Sequence, residues 1–181
     1  MQNFCVGITF IFSVTSLAAD DPNKKTDPPP IKVGEAAPEF TLQGSDGKMY
    51  KSVDLKGKTA YVIAWYPKAS TRGCTAECKS LAEATSELKK LNIAFFGASV
   101  DQLEANKKFA EEVGAKYPLL CDTDKSVAKS FGVLGPRGVA NRWTFYIDKE
   151  GIVRHIDKKV NTQSHGKDVA AKAKELGFDK A

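Results

Sequence analysis

The sequence has no block of basic residues, no aromatics woven through one, and no apolar run long enough to cross a bilayer. Its 27 lysines and arginines exceed its 22 acidic residues, for a net charge of +5. The lysines are spread along the chain, however, which is the pattern of a solvated surface and not of a nucleic-acid footprint. Without aromatics among them there is no stacking platform for single strands. The apolar stretch at residues 6–17 falls short of the roughly 20 residues a spanning helix needs. Four suitably spaced zinc ligands are missing, which argues against a structural zinc site, and no internal repeat is visible. Cysteine is scarce, with four residues, Cys5, Cys74, Cys78 and Cys121. A chain of 181 residues that is 42% hydrophobic can build a core without disulfide staples, so reactivity is the better explanation for the cysteines, although Cys121 also reads as a small buried hydrophobe.

Residues 1–19 read as a signal peptide. The apolar stretch has the length of a secretory h-region, and Ser16-Leu17-Ala18-Ala19 suits cleavage after Ala18 or Ala19. The segment before it carries no Lys or Arg, and no cysteine at the cleavage point suggests a lipid anchor. The expectation is export, to a periplasm or the extracellular space, with no stable membrane insertion after processing. Cys5 would leave with this segment. The three cysteines left are an odd number, so at least one lacks an internal partner. Residues 20–30, with Asp21-Pro22, Lys24-Lys25 and Pro28-Pro29-Pro30, cannot bury a core and read as a Pro-rich linker. The folded domain is then residues 31–181.

Within that domain strands alternate with helices. Residues 38–42 and 48–51 flank a Gly44-Ser45-Asp46-Gly47 turn, the pattern of an N-terminal β-hairpin. Residues 59–65 are an apolar run that reads as a buried strand. An amphipathic helix is expected over 74–91, a strand over 93–100, and a helix over 101–113 with Asp101 as N-cap and Glu104 completing a capping box; Gly114 stops it. A short strand at 117–120 precedes a helix capped by Asp122 or Thr123 and ended by Gly132. A hairpin of residues 143–147 and 152–156 and a last helix at 167–176 complete the chain. The fold class is α/β, a mixed central sheet with a parallel core flanked by helices on both faces and antiparallel strands from the closing hairpin.

The chemistry concentrates between the buried strand and the helix after it. Cys74 arrives in a first helical turn just past a strand end, where unpaired N–H groups and the helix dipole favour negative charge. The thiolate is the reactive form of cysteine. Pro67-x-x-x-Thr71-x-x-Cys74 resembles the active-site motif of the peroxiredoxins, and the wider pattern resembles the subgroup named for bacterioferritin comigratory protein. Val33-Gly34, Ala37-Pro38-Glu39-Phe40, Asp46-Gly47, Leu55-Lys56-Gly57 and residues 142–148 carry the likeness. It implies a thioredoxin-like fold and reduction of hydrogen peroxide and organic hydroperoxides with no metal or organic cofactor. Cys74 falls on the peroxidatic cysteine, which becomes a sulfenic acid. Thr71 offers a hydroxyl to the sulfur or the peroxide; Pro67 fixes the backbone and shields the sulfur; Arg142 falls on the arginine that stabilises charge on the departing oxygen. Glu77 falls on the glutamate that orients this arginine, although it also reads as a first-turn acid complementing the dipole. The resemblance implies a thioredoxin-like dithiol reductant and a monomer.

Two departures stand out. Arg72 replaces a proline common in the subgroup, adding a cation near Cys74. The subgroup's second cysteine commonly lies five residues after the first, where this chain has Lys79, whereas Cys78 is four residues on. That spacing places Cys74 and Cys78 on one helix face with Cβ atoms about 5–6 Å apart, while a disulfide needs roughly 3.5–4.5 Å. Either the first turns unwind and Cys78 resolves, or Cys121 does, or an external thiol acts on a one-cysteine enzyme. Trp65, Tyr66 and Phe145 read as core or pocket wall, and His165 as a capping or surface residue. A different class is represented by Sco-type copper-binding assembly factors, for which Cys74, Cys78 and His155 or His165 would supply a soft ligand set. A dithiol–disulfide oxidoreductase would use Cys-x-x-Cys, a different spacing.

Overall fold

All five residues of Tyr61–Trp65 are buried, which a strand achieves only inside a sheet covered on both faces. The computed structural model describes residues 29–180. Its strands are β1 (Thr41–Gly44), β2 (Met49–Lys51), β3 (Tyr61–Trp65), β4 (Ala94–Ser99), β5 (Leu119–Cys121), β6 (Thr144–Ile147) and β7 (Val153–Asp157). They form one seven-stranded sheet in the order β2-β1-β5-β4-β3-β6-β7. The pairs β3–β4 and β4–β5 are parallel, and the two hairpins flank them as antiparallel edges. This is a thioredoxin-like mixed sheet with an N-terminal hairpin. The expected signal peptide and most of the expected linker lie outside the described residues. Of that linker, Pro30 is in view; it sits so close to Gly132 that a Cβ there would come within 2.3 Å of the Pro30 Cα.

The period-two alternation of β3 divides the core. Val62 and Ala64 face one layer, with Cys74, Cys78 and Leu81 of α1 (Arg72–Glu83), Leu88 of α2 (Thr85–Lys90), Phe109 of α3 (Leu103–Val113) and Val169 of α5 (His165–Glu175). Tyr61, Ile63 and Trp65 face the other, with Phe96, Phe145 and Val127 and Ala128 of α4 (Ser126–Ser130).

Three local expectations are corrected. The helix expected over 74–91 is two helices that meet at Ala84 (φ −81, ψ −3); the Thr85 hydroxyl donates back to the Leu81 carbonyl at 3.2 Å, a bond that competes with the helical ladder and bends it. Asp101 is not an N-cap. Gln102 holds that position without a side-chain cap, and the Asp101 carboxylate instead accepts from the Ala69 N–H at 2.8 Å. The N-cap of α4 is Lys125, yet Asp122 still serves this helix by accepting from the N–H groups of Val127 (3.3 Å) and Ala128 (2.7 Å). No helix among the described residues is long and apolar enough to cross a membrane.

Candidate active site

The pairing of β3 extends one residue past the strand, where the Tyr66 N–H donates to the Ala98 carbonyl at 2.9 Å. Pro67 has no N–H to continue it, and the chain leaves the sheet. The loop that follows is tied down at Ala69 by Asp101 and at Ser70, whose hydroxyl donates to Glu112 at 2.8 Å. Thr71 is the N-cap of α1 in an extended conformation (φ −96, ψ 148) and makes no side-chain cap. Its hydroxyl donates to the Lys68 carbonyl at 3.0 Å. The first-turn N–H groups of Arg72, Gly73 and Cys74 are thus without a side-chain acceptor, on the positive end of a twelve-residue helix.

Cys74 is the third residue of that helix and 1% exposed. Arg142 Nη2 donates to its sulfur at 3.3 Å. Arg142 lies just before β6, which pairs antiparallel with β3, and this adjacency brings together residues far apart in sequence. Gly73 lies beside the guanidinium, where a Cβ would stand 3.4 Å from Nη2, in ordinary contact with it. The other terminal nitrogen, Nη1, forms an ion pair with Glu77 Oε2. Glu77 is fully buried, so its carboxylate requires such partners.

The second carboxylate oxygen faces a histidine. His165 Nδ1 lies 3.0 Å from Glu77 Oε1, and Nε2 shares a hydrogen bond of 2.9 Å with Thr144 Oγ1. His165 reaches this position because α5 crosses α1 at Gly166, where a Cβ would lie 2.2 Å from the Ser80 carbonyl oxygen and whose N–H donates to Ser80 Oγ at 3.1 Å. Burial pulls His165 down from the ordinary 6.5 to about 4, with Arg142 adding to the effect and Asp157 and Asp168 opposing it. The imidazole is therefore neutral at neutral pH. The expectation of a capping or surface histidine is overturned, because its side chain is 1% exposed and belongs to the site.

Of the residues picked out from sequence, Arg142 contacts both Cys74 and Glu77. Pro67 and Thr71 shape the loop that delivers Cys74, and neither the Thr71 hydroxyl nor the exposed Arg72 is bonded to the sulfur. Cys78 lies one turn further on, buried and a free thiol. Burial pushes it up to about 12, with a Tyr117 hydrogen bond acting the other way. Cys121 is on β5, separated from β3 by β4, so its strand lies about 10 Å to the side. Its sulfur accepts from Asn106 Nδ2 at 3.3 Å. Trp65, Tyr66 and Phe145 are core residues. Sequence reasoning missed Thr144 and the role of His165; the only hint was that the chain has just two histidines. A copper set does not assemble: His165 is engaged by Glu77 and Thr144, His155 stands against the Tyr146 ring, and among the described residues no three His, Cys, Asp or Glu side chains are grouped to hold a metal.

Comparison with known proteins agrees with this geometry. The AhpC/TSA family profile matches residues 33–156. Peroxiredoxin Bcp of Escherichia coli K12 is 34% identical over 143 residues, covering 75% of this chain and 91% of its own. The crystal structure of the peroxidoxin BcpB of Mycobacterium tuberculosis superposes with a TM-score of 0.73 at 28% identity, over 81% of this chain and 98% of that one. The bacterioferritin comigratory protein of Xanthomonas campestris, studied for alkyl peroxide reduction, gives a TM-score of 0.70 at 28% identity, over 76% and 91% of the two chains. A matched profile spanning most of the described domain, together with a cysteine at a helix start under a guanidinium, places the chain in the AhpC/TSA family, among the peroxiredoxins of the bacterioferritin comigratory protein type.

Proposed function

We propose that the thiol peroxidase activity of this chain runs through Cys74. Its thiolate attacks one oxygen of hydrogen peroxide or an organic hydroperoxide, the O–O bond breaks, the sulfur becomes a sulfenic acid, and water or an alcohol leaves after taking up a proton. The observation that carries this reading is the Arg142 Nη2–Cys74 Sγ contact of 3.3 Å at the start of a helix. The guanidinium and the first-turn N–H groups supply positive potential where negative charge gathers on the breaking bond. Glu77 orients Arg142. Pro67 and Thr71 hold the loop, and the exposed Thr71 hydroxyl, which in the resting loop donates to the Lys68 carbonyl, turns to meet the incoming peroxide. A sulfur only 1% exposed restricts direct approach to small or narrow oxidants.

The sulfenic acid is resolved by Cys78 after the first turns of α1 unwind. The Cys78 thiol, raised to about 12 in the folded protein, is protonated until unwinding brings it to water. Its attack forms the Cys74–Cys78 disulfide and releases water, and a thioredoxin-like dithiol protein reduces the disulfide by exchange. The protein acts as an exported monomer; the apolar segment at residues 6–17 followed by Ala18-Ala19 motivates export. Cell fractionation and size-exclusion chromatography test those two points, and recovery in the cytosol or as a stable dimer would count against them.

For the chemistry, reduced protein is treated with one equivalent of hydrogen peroxide in the presence of dimedone and digested without reductant. Labelling of Cys74 and, without dimedone, a Cys74–Cys78 linked peptide are expected. Dimedone on another cysteine, or none on Cys74 in a Cys78→Ala variant that cannot resolve the sulfenic acid, sinks the assignment of Cys74. A Cys74–Cys121 link, or no internal link, sinks only the resolving role of Cys78.

A further inference from the structure

The pairing around Glu77 is unequal in a way the sulfur needs. An arginine fork usually meets a carboxylate with both terminal nitrogens. Here only Nη1 is spent on Glu77, and Nη2 is left for the Cys74 sulfur. The second carboxylate oxygen is occupied by the imidazole of His165. We propose that His165 is a positioning residue for the reaction at Cys74: by occupying Glu77 Oε1 it prevents the carboxylate from capturing both Arg142 nitrogens and so holds Nη2 against the sulfur.

The protonation pattern follows from the neighbours. A carboxylate only accepts, so Nδ1 carries the hydrogen that faces Glu77, and Nε2 is bare and accepts from the Thr144 hydroxyl. This tautomer is assigned from the network. The Glu77 oxygens, Arg142 Nη1 and His165 Nδ1 are in close contact without aligned hydrogen bonds. All are out of water with no other hydrogen-bond partner among the described residues, so they are the partners available to one another. Burial keeps the ring neutral, so its contribution is a directed N–H and not a second cation competing with Arg142. The groups facing it are Glu77 from α1, Thr144 from β6, Asp157 from β7, Asp168 from its own helix, and Arg142. Thr144 Oγ1, His165, Glu77, Arg142 and Cys74 Sγ thus form a continuous chain from the sheet to the sulfur. Losing the imidazole strands Oε1 in the core, and the nearest donor able to satisfy it is the Arg142 fork, which must then turn off the sulfur.

The inference rests on Cys74 being the reacting thiol, which dimedone labelling of the wild type establishes separately. Its own test compares His165→Asn, whose amide N–H stands where Nδ1–H stood, with His165→Leu, which has no donor. The readouts are the single-turnover rate with hydrogen peroxide and the pH profile of Cys74 alkylation. His165→Leu is expected to react at least about tenfold more slowly at neutral pH, as expected for a displaced electrostatic donor, with the alkylation midpoint moved upward. His165→Asn is expected to stay within about threefold of wild type, since it restores that donor. Equal effects of the two substitutions, or a folded His165→Leu protein with unchanged rate and midpoint, overturn the proposal. Should His165→Leu not fold, nitrogen-15 NMR of wild-type histidine decides. The Nδ1–H tautomer supports the proposal; an Nε2–H tautomer, which would turn a bare nitrogen toward Glu77, overturns it.

Discussion

Cys74 and Cys78 stand one turn apart on the same helix, and both are 1% exposed. Their surroundings are nevertheless opposite. Cys74 meets a guanidinium held by a buried carboxylate. Cys78 meets the apolar layer and Tyr117, whose hydroxyl donates to the Cys78 carbonyl at 3.1 Å. Burial is the main cause that drives the second thiol up to about 12, with the neighbouring Cys74 adding to it and the Tyr117 hydrogen bond opposing it. The comparison teaches that exposure does not distinguish the two sulfurs here. The separation comes from which charges the sheet and the crossing helix bring to it, since a desolvated thiol with no cation nearby remains a thiol.

The strongest way to break this comparison is to take away the charge that distinguishes the two sites. Arg142→Lys keeps one positive charge, but a single ammonium cannot serve both Glu77 and the sulfur as a planar fork does. Stopped-flow measurement of Cys74 oxidation should show a loss of about 100-fold, the scale seen when one preorganised donor is removed. A lysine variant that reacts at the wild-type rate would place the difference between the cysteines elsewhere, in the helix N-terminus alone.

Acid provides a second, comparable perturbation, directed at only one of the two neighbourhoods. His165 is lowered from 6.5 to about 4 by burial, so between those values the unfolded chain holds a proton that the folded chain does not. Stability therefore falls as pH drops from about 6.5 toward 4, by at most roughly 3 kcal/mol, the free-energy equivalent of that shift. Around Cys78 the groups are Tyr117 and Tyr66, both raised well above their ordinary value, and neither titrates in this range. Urea unfolding at several pH values should show the dependence in wild type and a flatter one in His165→Asn. Equal slopes in the two proteins would remove His165 as the source.

The two sites also differed in how far they were legible before the fold was known. Pro67, Thr71 and Cys74 fall within eight consecutive residues and describe their own geometry, a strand end, a loop and a helix start. β3 was legible because every residue in it is apolar or aromatic. Arg142 is 68 residues from Cys74; only a family resemblance pointed to it, because its approach depends on β6 pairing beside β3. His165 was misread because its burial is decided by the crossing of α1 and α5 at Gly166, a contact with no local signature. The split of the expected 74–91 helix depends on one threonine hydroxyl turning back on Leu81, which periodicity does not register. Cys78 was legible in sequence only as a candidate resolving residue one turn beyond Cys74, because its neighbours, Tyr117 among them, are supplied by distant parts of the chain.

The smallest expected effect is the sharpest separator. If Cys78 has no part in the attack on peroxide, Cys78→Ala should leave the first oxidation of Cys74 within about twofold of wild type, since no group that stabilises charge on the breaking bond is removed. Turnover is another matter. Closing the Cys74–Cys78 bond requires Cβ atoms at roughly 3.5–4.5 Å, so α1 must give up hydrogen bonds in its first turns, and far-ultraviolet circular dichroism of wild type should lose helical signal on adding one equivalent of peroxide. The alanine variant has no bond to close. It should keep its helical signal, accumulate sulfenic acid, and with excess peroxide proceed to the sulfinic acid, detectable as a mass increase of two oxygens on the Cys74 peptide. A variant that loses helix as wild type does would show that oxidation of Cys74 alone unwinds α1. One that slows in the first step would show that the two thiols are coupled before any disulfide forms, and the contrast between them would no longer be one of electrostatic surroundings.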